Sequence, residues 1–190
     1  MVKKLTYYKN FNIRKSHKKS IILIGNFDGV HLGHQKLFSD AKDYKKKENL
    51  KIGVVTFDPI PKMFFIKKLK NYRISSLNQK LSIFKKFNVD FVINKKFDKK
   101  FSKIKCSKFI SEIIHKKLNA KLIFVSNNFK FGNKREGDVK LLKLLEKKYN
   151  YKIINPLPLK KKNKIISSSL IRKLLADGKL NLVNNYLNRK

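Results

Sequence analysis

Two histidines three residues apart, His31 and His34, stand in a glycine-rich segment at residues 25–35. Residues three apart lie on one face of a helix, so the two imidazoles can donate to the same anionic centre. Glycines such as Gly33 let the backbone approach a ligand closely, and the free N–H groups at a helix start attract phosphates. The segment therefore suits a reaction in which negative charge grows on a phosphate, because such reactions depend mainly on positioning and electrostatic stabilisation.

A bare pair of histidines allows two other interpretations. They could be ordinary core or surface residues in a turn, or they could bind a metal, although no third ligand stands close in the sequence. The complete string at residues 25–35 is Gly-Asn-Phe-Asp-Gly-Val-His-Leu-Gly-His-Gln. It resembles the HxGH signature of the nucleotidyltransferase superfamily, and this resemblance argues against both of these interpretations. It is similar in particular to the adenylyltransferase module of the bacterial bifunctional riboflavin kinase/FAD synthetases.

That resemblance implies roles for the residues of the segment. It implies that His31 and His34 are catalytic and stabilise the charge that builds on the α-phosphate of ATP. It also implies an ATP cradle and its turn, formed by five residues: Gly25, Asn26, Phe27, Asp28 and Gly33.

Five short β-branched and aromatic runs alternate with stretches of helical spacing, which is the pattern of a parallel sheet with crossover helices. The runs are at residues 21–24, 52–57, 89–93, 122–125 and 153–154. They lack strong polar alternation, which indicates strands buried on both faces, and we predict an α/β fold with a Rossmann-like doubly wound parallel sheet of about five strands. Ligands of such sheets bind beyond the carboxyl ends of the strands, so the loops that follow the strands must carry the site.

Capping residues mark several helix starts between these runs. Ser76 and Gln79 have the spacing of a capping box, and Asp138 can cap a later helix. Ser107 is expected to cap a helix that carries Phe109 and Ile110.

The loops after the second and fourth predicted strands carry aromatic residues suited to a flat substrate. Residues 56–61, Thr-Phe-Asp-Pro-Ile-Pro, resemble the family's Thr-Phe-(Asp/Glu)-Pro-His-Pro loop, with Ile60 where a histidine is usual. Residues 126–132 resemble its Gly-x-(Asp/Asn)-Phe-x-Phe-Gly segment, with Ser126 in place of a glycine. The resemblance implies a flavin site that includes Phe57, Pro59, Asn128 and Phe129. A loop plug that only closes the sheet is the alternative for the second loop.

A late helix start at residues 167–172, Ser-Ser-Ser-Leu-Ile-Arg, is by itself only a capped helix. It is similar to the family's Ser-Ser-(Thr/Ser)-x-Ile-Arg motif, in which hydroxyls and an arginine hold the phosphates of ATP opposite the HxGH helix. The resemblance implies that Ser168 and Ser169 bind ATP and that Arg172 is catalytic, since a guanidinium fork matches the leaving pyrophosphate.

The chain carries 48 lysines and arginines against 12 aspartates and glutamates, a formal charge of +36. Such an excess favours an anionic partner, but here it is almost entirely lysine spread along the chain, whereas base reading and phosphate forks favour arginine. We interpret the excess as a solvated surface and expect neither nucleic acid nor a membrane as a partner. Cys106 is the single cysteine and no apolar run is long enough to span a bilayer, so a cytoplasmic protein is predicted.

We expect one nucleotidyltransferase domain over residues 1–190, because two independent cores would each be unusually small. Residues 185–189 look like the family's lead-in to a riboflavin kinase barrel, and since no barrel follows we expect no riboflavin kinase activity. The expected reaction is transfer of AMP from ATP to FMN by a monomer, with Mg²⁺ bound to ATP and its protein ligands unassigned. Two alternatives stay open: an HxGH enzyme with another phosphorylated acceptor, and a degenerate non-enzymatic protein that binds polyanions.

Overall fold

A computed structural model describes residues 4–69, 71–161 and 163–189, so positions 1–3, 70, 162 and 190 of the predicted domain lie outside the described residues. Within this part of the chain, six parallel strands form the central sheet in the order β1-β4-β3-β2-β5-β6. They are β1 (Thr6–Tyr8), β2 (Ile21–Ile24), β3 (Ile52–Asp58), β4 (Phe91–Lys96), β5 (Leu122–Phe124) and β6 (Lys152–Ile154). Two short antiparallel pairs lie outside the sheet: Lys130–Phe131 with Gly137–Asp138, and Lys160–Lys161 with Lys164–Ile165.

Nine helical elements surround or extend the sheet in the described ranges. They are α1 (Leu32–Glu48), α2 (Pro61–Phe65), α3 (Leu77–Lys86), α4 (Lys99–Ser102), α5 (Cys106–Lys108, continued by a π-helical stretch Phe109–Leu118), α6 (Val139–Leu144), α7 (Glu146–Tyr149), α8 (Ser168–Ala176) and α9 (Leu180–Leu187). Single 3₁₀ turns occur at Lys15–His17 and Asn133–Arg135.

Strand β2 shows that the sheet is buried on both faces, as its apolar run predicts. Ile22 and Ile24 belong to a core cluster with Ile110 and Ile114 of the π-helical stretch. Ile21 and its neighbour Leu23 belong to a second cluster with Phe38 of α1 and Phe84 of α3. Helices therefore cover both faces, which confirms the predicted doubly wound α/β sheet; each buried isoleucine or leucine contributes about 1.5–3 kcal/mol to folding.

The sheet has one strand more than the five runs found in the sequence. Strand β1 lies at the edge of the sheet and pairs in parallel with β4, with Thr6 opposite Phe91. Its three residues, Thr-Tyr-Tyr, are at most partly buried and contain no aliphatic run. An edge strand of this kind is specified by its partner more than by its own hydrophobic pattern, so periodicity alone did not find it.

The strand order reverses between β2 and β5. The chain adds β3 and β4 on one side of β2 and then returns to add β5 and β6 on the other. In doubly wound sheets, the crevice for ligands lies at such a reversal, beyond the carboxyl ends of the strands. The glycine-rich loop after β2 and the aromatic loop after β5 both end at this crevice.

Two of the three predicted caps are confirmed. The Ser76 hydroxyl and the Gln79 side chain form a reciprocal capping box, and the Asp138 carboxylate accepts from the Leu141 amide. The prediction for Ser107 is wrong, because the helix already begins at Cys106 with Lys105 before it. The Cys106 amide is instead satisfied by the carboxylate of Glu136, 30 residues away, which the local sequence does not reveal.

Helices α8 and α9 pack together over the start of α1. Their cluster includes Ile171 and Val183, with Leu32 and Ile74 packed against it. The Gln35 amide on α1 joins the parts, since its Nε2 donates to the Val30 carbonyl and to the Leu187 carbonyl at 2.9 and 2.8 Å. This packing places the start of α8 beside the glycine-rich loop.

Candidate active site

The glycine-rich loop leaves β2 and enters α1 at Leu32, with His31 in the capping position. The His31 and His34 rings stack with their centroids 3.7 Å apart and their planes 20° apart. Only 5% of His31 is exposed, and the Nδ1 atoms of both rings are buried without a hydrogen-bond partner among the described residues. The two imidazoles therefore have buried Nδ1 atoms without a partner among the described residues, a feature that native structures show mainly at functional sites or beside an unseen ligand or water.

Both imidazoles are neutral at ordinary pH. Burial lowers the pKa of His31 to about 4, with a further lowering from the Arg172 charge and opposition from Asp28. The pKa of His34 lies well below its usual range because of burial first, then the charges of His31 and Lys80. An anion near the rings would favour their protonated forms, so the pair can gain positive character when a phosphate arrives.

The loop holds a strained backbone. Phe27 and Val30 have φ angles of 48° and 40°, a region that is rare for residues other than glycine and rarest for a β-branched one such as Val30. Both side chains are buried, which holds the loop in this shape. Little room is left for larger residues at the glycines: a Cβ on Gly33 would lie 3.2 Å from His31 Nδ1, and one on Gly25 would lie 3.1 Å from the Phe27 ring. Asn26, between Gly25 and Phe27, is exposed.

Asp28 points into the protein and is tied to a distant segment. Its side chain is 2% exposed and accepts hydrogen bonds from the Ile74 amide at 3.0 Å and the Ser75 amide at 3.2 Å. It also accepts a 2.6 Å hydrogen bond from Arg172 Nη2. The Asp28 carboxylate, predicted for the ATP cradle, therefore joins the glycine-rich loop to residues 74–75 and to Arg172. It supports the loop from its buried side.

The Arg172 guanidinium is held by hydrogen bonds at its edge and by a ring against one face. Its Nε donates to the Tyr72 carbonyl at 2.9 Å, and its guanidinium carbon lies 3.8 Å from the centre of the Tyr72 ring. The neighbouring Ser168 hydroxyl donates to the Asp28 carbonyl at 2.9 Å, whereas Ser169 is exposed. The start of α8 is thus fixed against the glycine-rich loop, with Ser169 and the remaining guanidinium N–H groups free to meet a ligand.

Of the residues predicted to bind a flavin, the aromatic ones pack in or against the core, and Asn128 lies at the surface. Phe57, at the end of β3, is 9% exposed and packs against Phe101, and Pro59 follows it through a cis peptide bond from Asp58. After β5, Phe129 stacks on Phe131 with 5.6 Å between ring centroids, packed against the same core cluster as Phe57. Asn128 is exposed, and its Oδ1 accepts from Ser126 at 2.9 Å.

Three polar residues near the loop were missed by the sequence analysis: Tyr72, Lys80 and Asn94. Lys80 and Asn94 line a small cavity beside the HxGH loop, and the other residues at its wall include Asp28, Phe57, Asp58 and Ile60. A signal existed for Lys80, because it occupies a core-facing helical position three residues after Leu77 and four before Phe84. Tyr72 and Asn94 carry no such signal, since their roles arise from tertiary contacts.

The described ranges contain neither a cluster of metal ligands nor a membrane-spanning helix. No group of three or more His, Cys, Asp or Glu residues is placed to hold a metal ion there. No helix among the described residues has the length and apolar character needed to cross a bilayer.

Residues 13–170 match the sequence profile of the family described as FAD synthetase. The bifunctional riboflavin kinase/FMN adenylyltransferase of Buchnera aphidicola subsp. Schizaphis graminum is 40% identical over 179 residues, covering 94% of this chain and 57% of that protein. The protein of the same name from Escherichia coli (strain K12) is 34% identical and covers 88% of this chain and 53% of that protein. The FAD synthetase of Listeria monocytogenes serovar 1/2a is 29% identical, covering 86% and 66%. The chain therefore spans between about half and two thirds of the length of these relatives.

A crystal structure described as a macrolide-efflux protein from Streptococcus pneumoniae has the same fold. It matches with a TM-score of 0.83 and 25% identity over 97% of this chain and 61% of that one. The family match carries more information on function, because it includes strands β2 to β6, the histidine pair and both aromatic loops. On these grounds the chain belongs to the FAD synthetase family.

Proposed function

We propose that this chain transfers AMP from ATP to FMN and so makes FAD and pyrophosphate. The observation that carries the proposal is the stacked pair of His31 and His34, placed where the strand order reverses. A phosphate oxygen of FMN attacks the α-phosphorus of ATP in line, the bond to the β-phosphate breaks, and its electrons leave with pyrophosphate. The two imidazoles donate to the α-phosphate oxygens as negative charge grows on them.

The leaving pyrophosphate faces α8 in this proposal. Arg172 neutralises its charge, and Ser168 and Ser169 donate to the β- and γ-phosphates. The contacts of Arg172 with Asp28 and Tyr72 support this role, because they fix the guanidinium before substrate binds. The backbone from Gly25 to Asp28, together with Gly33, lines the other side of the nucleotide.

FMN is proposed to lie against the loops after β3 and β5. The candidate contacts are Phe57, Pro59, Asn128 and Phe129. These loops are the reason to prefer a flavin over the other acceptors used in the nucleotidyltransferase superfamily, such as pantetheine phosphate, nicotinamide mononucleotide or glycerol phosphate.

Mg²⁺ is proposed to enter with ATP, because Mg²⁺ is commonly held by substrate phosphates and water with one or two carboxylates. We also propose that the chain acts as a single-domain monomer in the cytoplasm and that nucleic acid is not a partner.

The direct test is to incubate the purified protein with MgATP and either FMN or riboflavin and to separate the flavins by chromatography. We expect FAD from FMN; riboflavin, which lacks the attacking phosphate, is the comparison substrate. No FAD from FMN would overturn the proposal; the same assay with other phosphorylated acceptors would then identify a related transferase. A polyanion affinity that falls steeply with salt would instead support a binding protein.

A further inference from the structure

Lys80 on α3 is a buried lysine. It is 6% exposed, and burial lowers the pKa of its ammonium group, while the charges of Asp28 and Asp58 oppose that shift. In the described part of the chain, no carboxylate lies within ion-pair distance of its Nζ. Lysine is almost never buried unless it is paired, so this position has a cost that packing alone does not explain.

The polar contacts of Lys80 converge on one backbone carbonyl. Its Nζ lies 3.3 Å from the Asn26 carbonyl and 3.3 Å from Thr56 Oγ1, and Thr56 Oγ1 itself donates to the Asn26 carbonyl at 3.1 Å. The Asn26 carbonyl therefore accepts from two side chains of different elements. In a planar trans peptide the C=O and N–H point in opposite directions, so the Phe27 amide is turned away from Lys80.

The Phe27 amide has no hydrogen-bond acceptor among the described residues. It belongs to a residue with a φ of 48°, and the Phe27 ring contacts the His34 ring edge to face at 5.2 Å between centroids. An unsatisfied amide in a strained turn, on a residue whose ring contacts His34 and across a peptide from a positive charge, has the features of an anion-binding concavity.

We propose that Lys80 is a positioning residue for adenylyl transfer: with Thr56 it fixes the Asn26–Phe27 peptide so that the Phe27 amide donates to a phosphate oxygen of ATP. Its charge adds attraction for the phosphates from beneath the loop. The role in catalysis depends on the function proposed above. The role in holding MgATP does not, because it concerns nucleotide binding alone.

The test compares Lys80→Met with Lys80→Arg, Thr56→Val and the control Lys85→Met. Methionine keeps the shape of the buried stem but removes the charge and the donor, and arginine keeps the charge. Thr56→Val removes the second hydrogen bond to Asn26 without changing charge. Lys85 is an exposed lysine on the same helix, so its substitution controls for the loss of one positive charge. Circular dichroism and thermal unfolding check that each variant folds.

For Lys80→Met we expect the MgATP Kd measured by calorimetry to rise about tenfold, as for loss of one charge-assisted contact. The KM for FMN should stay within about threefold of the wild-type value, since the Phe27 amide that Lys80 positions is proposed to bind the nucleotide. Lys80→Arg should recover part of the affinity, and Thr56→Val should weaken MgATP binding in the same direction by a smaller factor.

Wild-type MgATP affinity in folded Lys80→Met and Thr56→Val would overturn the inference. If Lys80→Met does not fold, wild-type MgATP affinity in Thr56→Val is sufficient to overturn it. An equal rise in the KM for FMN would also overturn it, because a general loosening of the fold would move both substrates. If the wild-type protein makes no FAD, the proposed reaction fails, while the calorimetric comparison still decides the role of Lys80.

Discussion

Arg172 Nη2 donates to the carboxylate of Asp28 at 2.6 Å, across 144 residues of sequence. The contact joins the glycine-rich loop after β2 to the start of α8, the two segments that face each other in the proposed ATP site. Only 2% of the Asp28 side chain is exposed. A buried ion pair adds little net stability, but the loss of one partner leaves the other charge uncompensated. Its main effect here is to orient the guanidinium.

Replacing Asp28 with asparagine should therefore impair use of ATP more than use of FMN. We expect kcat/KM for ATP to fall by about 10–100-fold, because a small misplacement of a charge-stabilising group can cost that much, with the KM for FMN little changed. Steady-state kinetics with each substrate varied in turn measure the split. Asp43→Asn, at an exposed position on α1, is the matched control. A folded Asp28→Asn variant with wild-type kcat/KM for ATP would contradict this account of Arg172.

The histidine pair should matter mainly for turnover. His34→Ala and His31→Ala each remove one donor aimed at the developing charge, and loss of such a donor lowers kcat by about 10²–10³-fold. Rapid-quench or steady-state measurements of FAD formation at saturating MgATP and FMN test this. His115 is an exposed histidine on the π-helical stretch that continues α5, and His115→Ala should leave the rate unchanged. Wild-type turnover in a folded His34→Ala variant would remove the pair from the mechanism.

Local patterns predicted the sheet well because its strands are buried on both faces. Residues 21–24, for example, form β2 over the predicted bounds. The edge strand β1 escaped prediction, since its three residues owe their conformation to pairing with β4. Likewise, Ser107 does not cap its helix, because the helix begins earlier and the Cys106 amide donates to Glu136, which lies far away in sequence.

The candidate site shows the same division. Spacing and resemblance identified His31, His34 and Arg172, because short motifs encode them. The inward turn of Asp28 and the stacking of Arg172 on Tyr72 depend on segments brought together only by folding. The sequence could have indicated Lys80, because apolar residues at helical spacing place it on the core-facing side of its helix. In a chain with so many lysines, nothing else in the sequence distinguishes it.

The proposed flavin site can be tested separately by replacing Asn128 with alanine. The exposed Asn128 amide can exchange hydrogen bonds with a heterocycle, and loss of about one such bond should raise the KM for FMN by roughly tenfold while leaving the KM for ATP unchanged. Asn127→Ala, one residue away and also exposed, controls for a general disturbance of the loop. An Asn128→Ala variant with a wild-type KM for FMN would remove this residue from the acceptor site.

The low pKa of His31 predicts how stability depends on pH. The native pKa is about 4, below the ordinary value of 6.5, so between these pH values the unfolded chain binds a proton that the native protein does not. The free energy of unfolding should fall as pH drops from about 6.5 to 4, by about 3 kcal/mol for this group. Urea unfolding at several pH values measures the decline.

His31→Asn isolates that contribution. The variant should lose less stability on acidification than the wild type, although part of the decline remains because burial also lowers the pKa values of His34 and His17. Parallel curves for the two proteins would show that His31 does not titrate as the structure implies. Nucleotide should act in the opposite sense: phosphate beside the pair raises the imidazole pKa values from their lowered positions, so ATP binding takes up protons and strengthens as pH falls through the raised pKa values. Proton uptake, measured by calorimetry in buffers of different ionisation enthalpy, should therefore be smaller in His31→Asn than in the wild type if the phosphates bind at this pair.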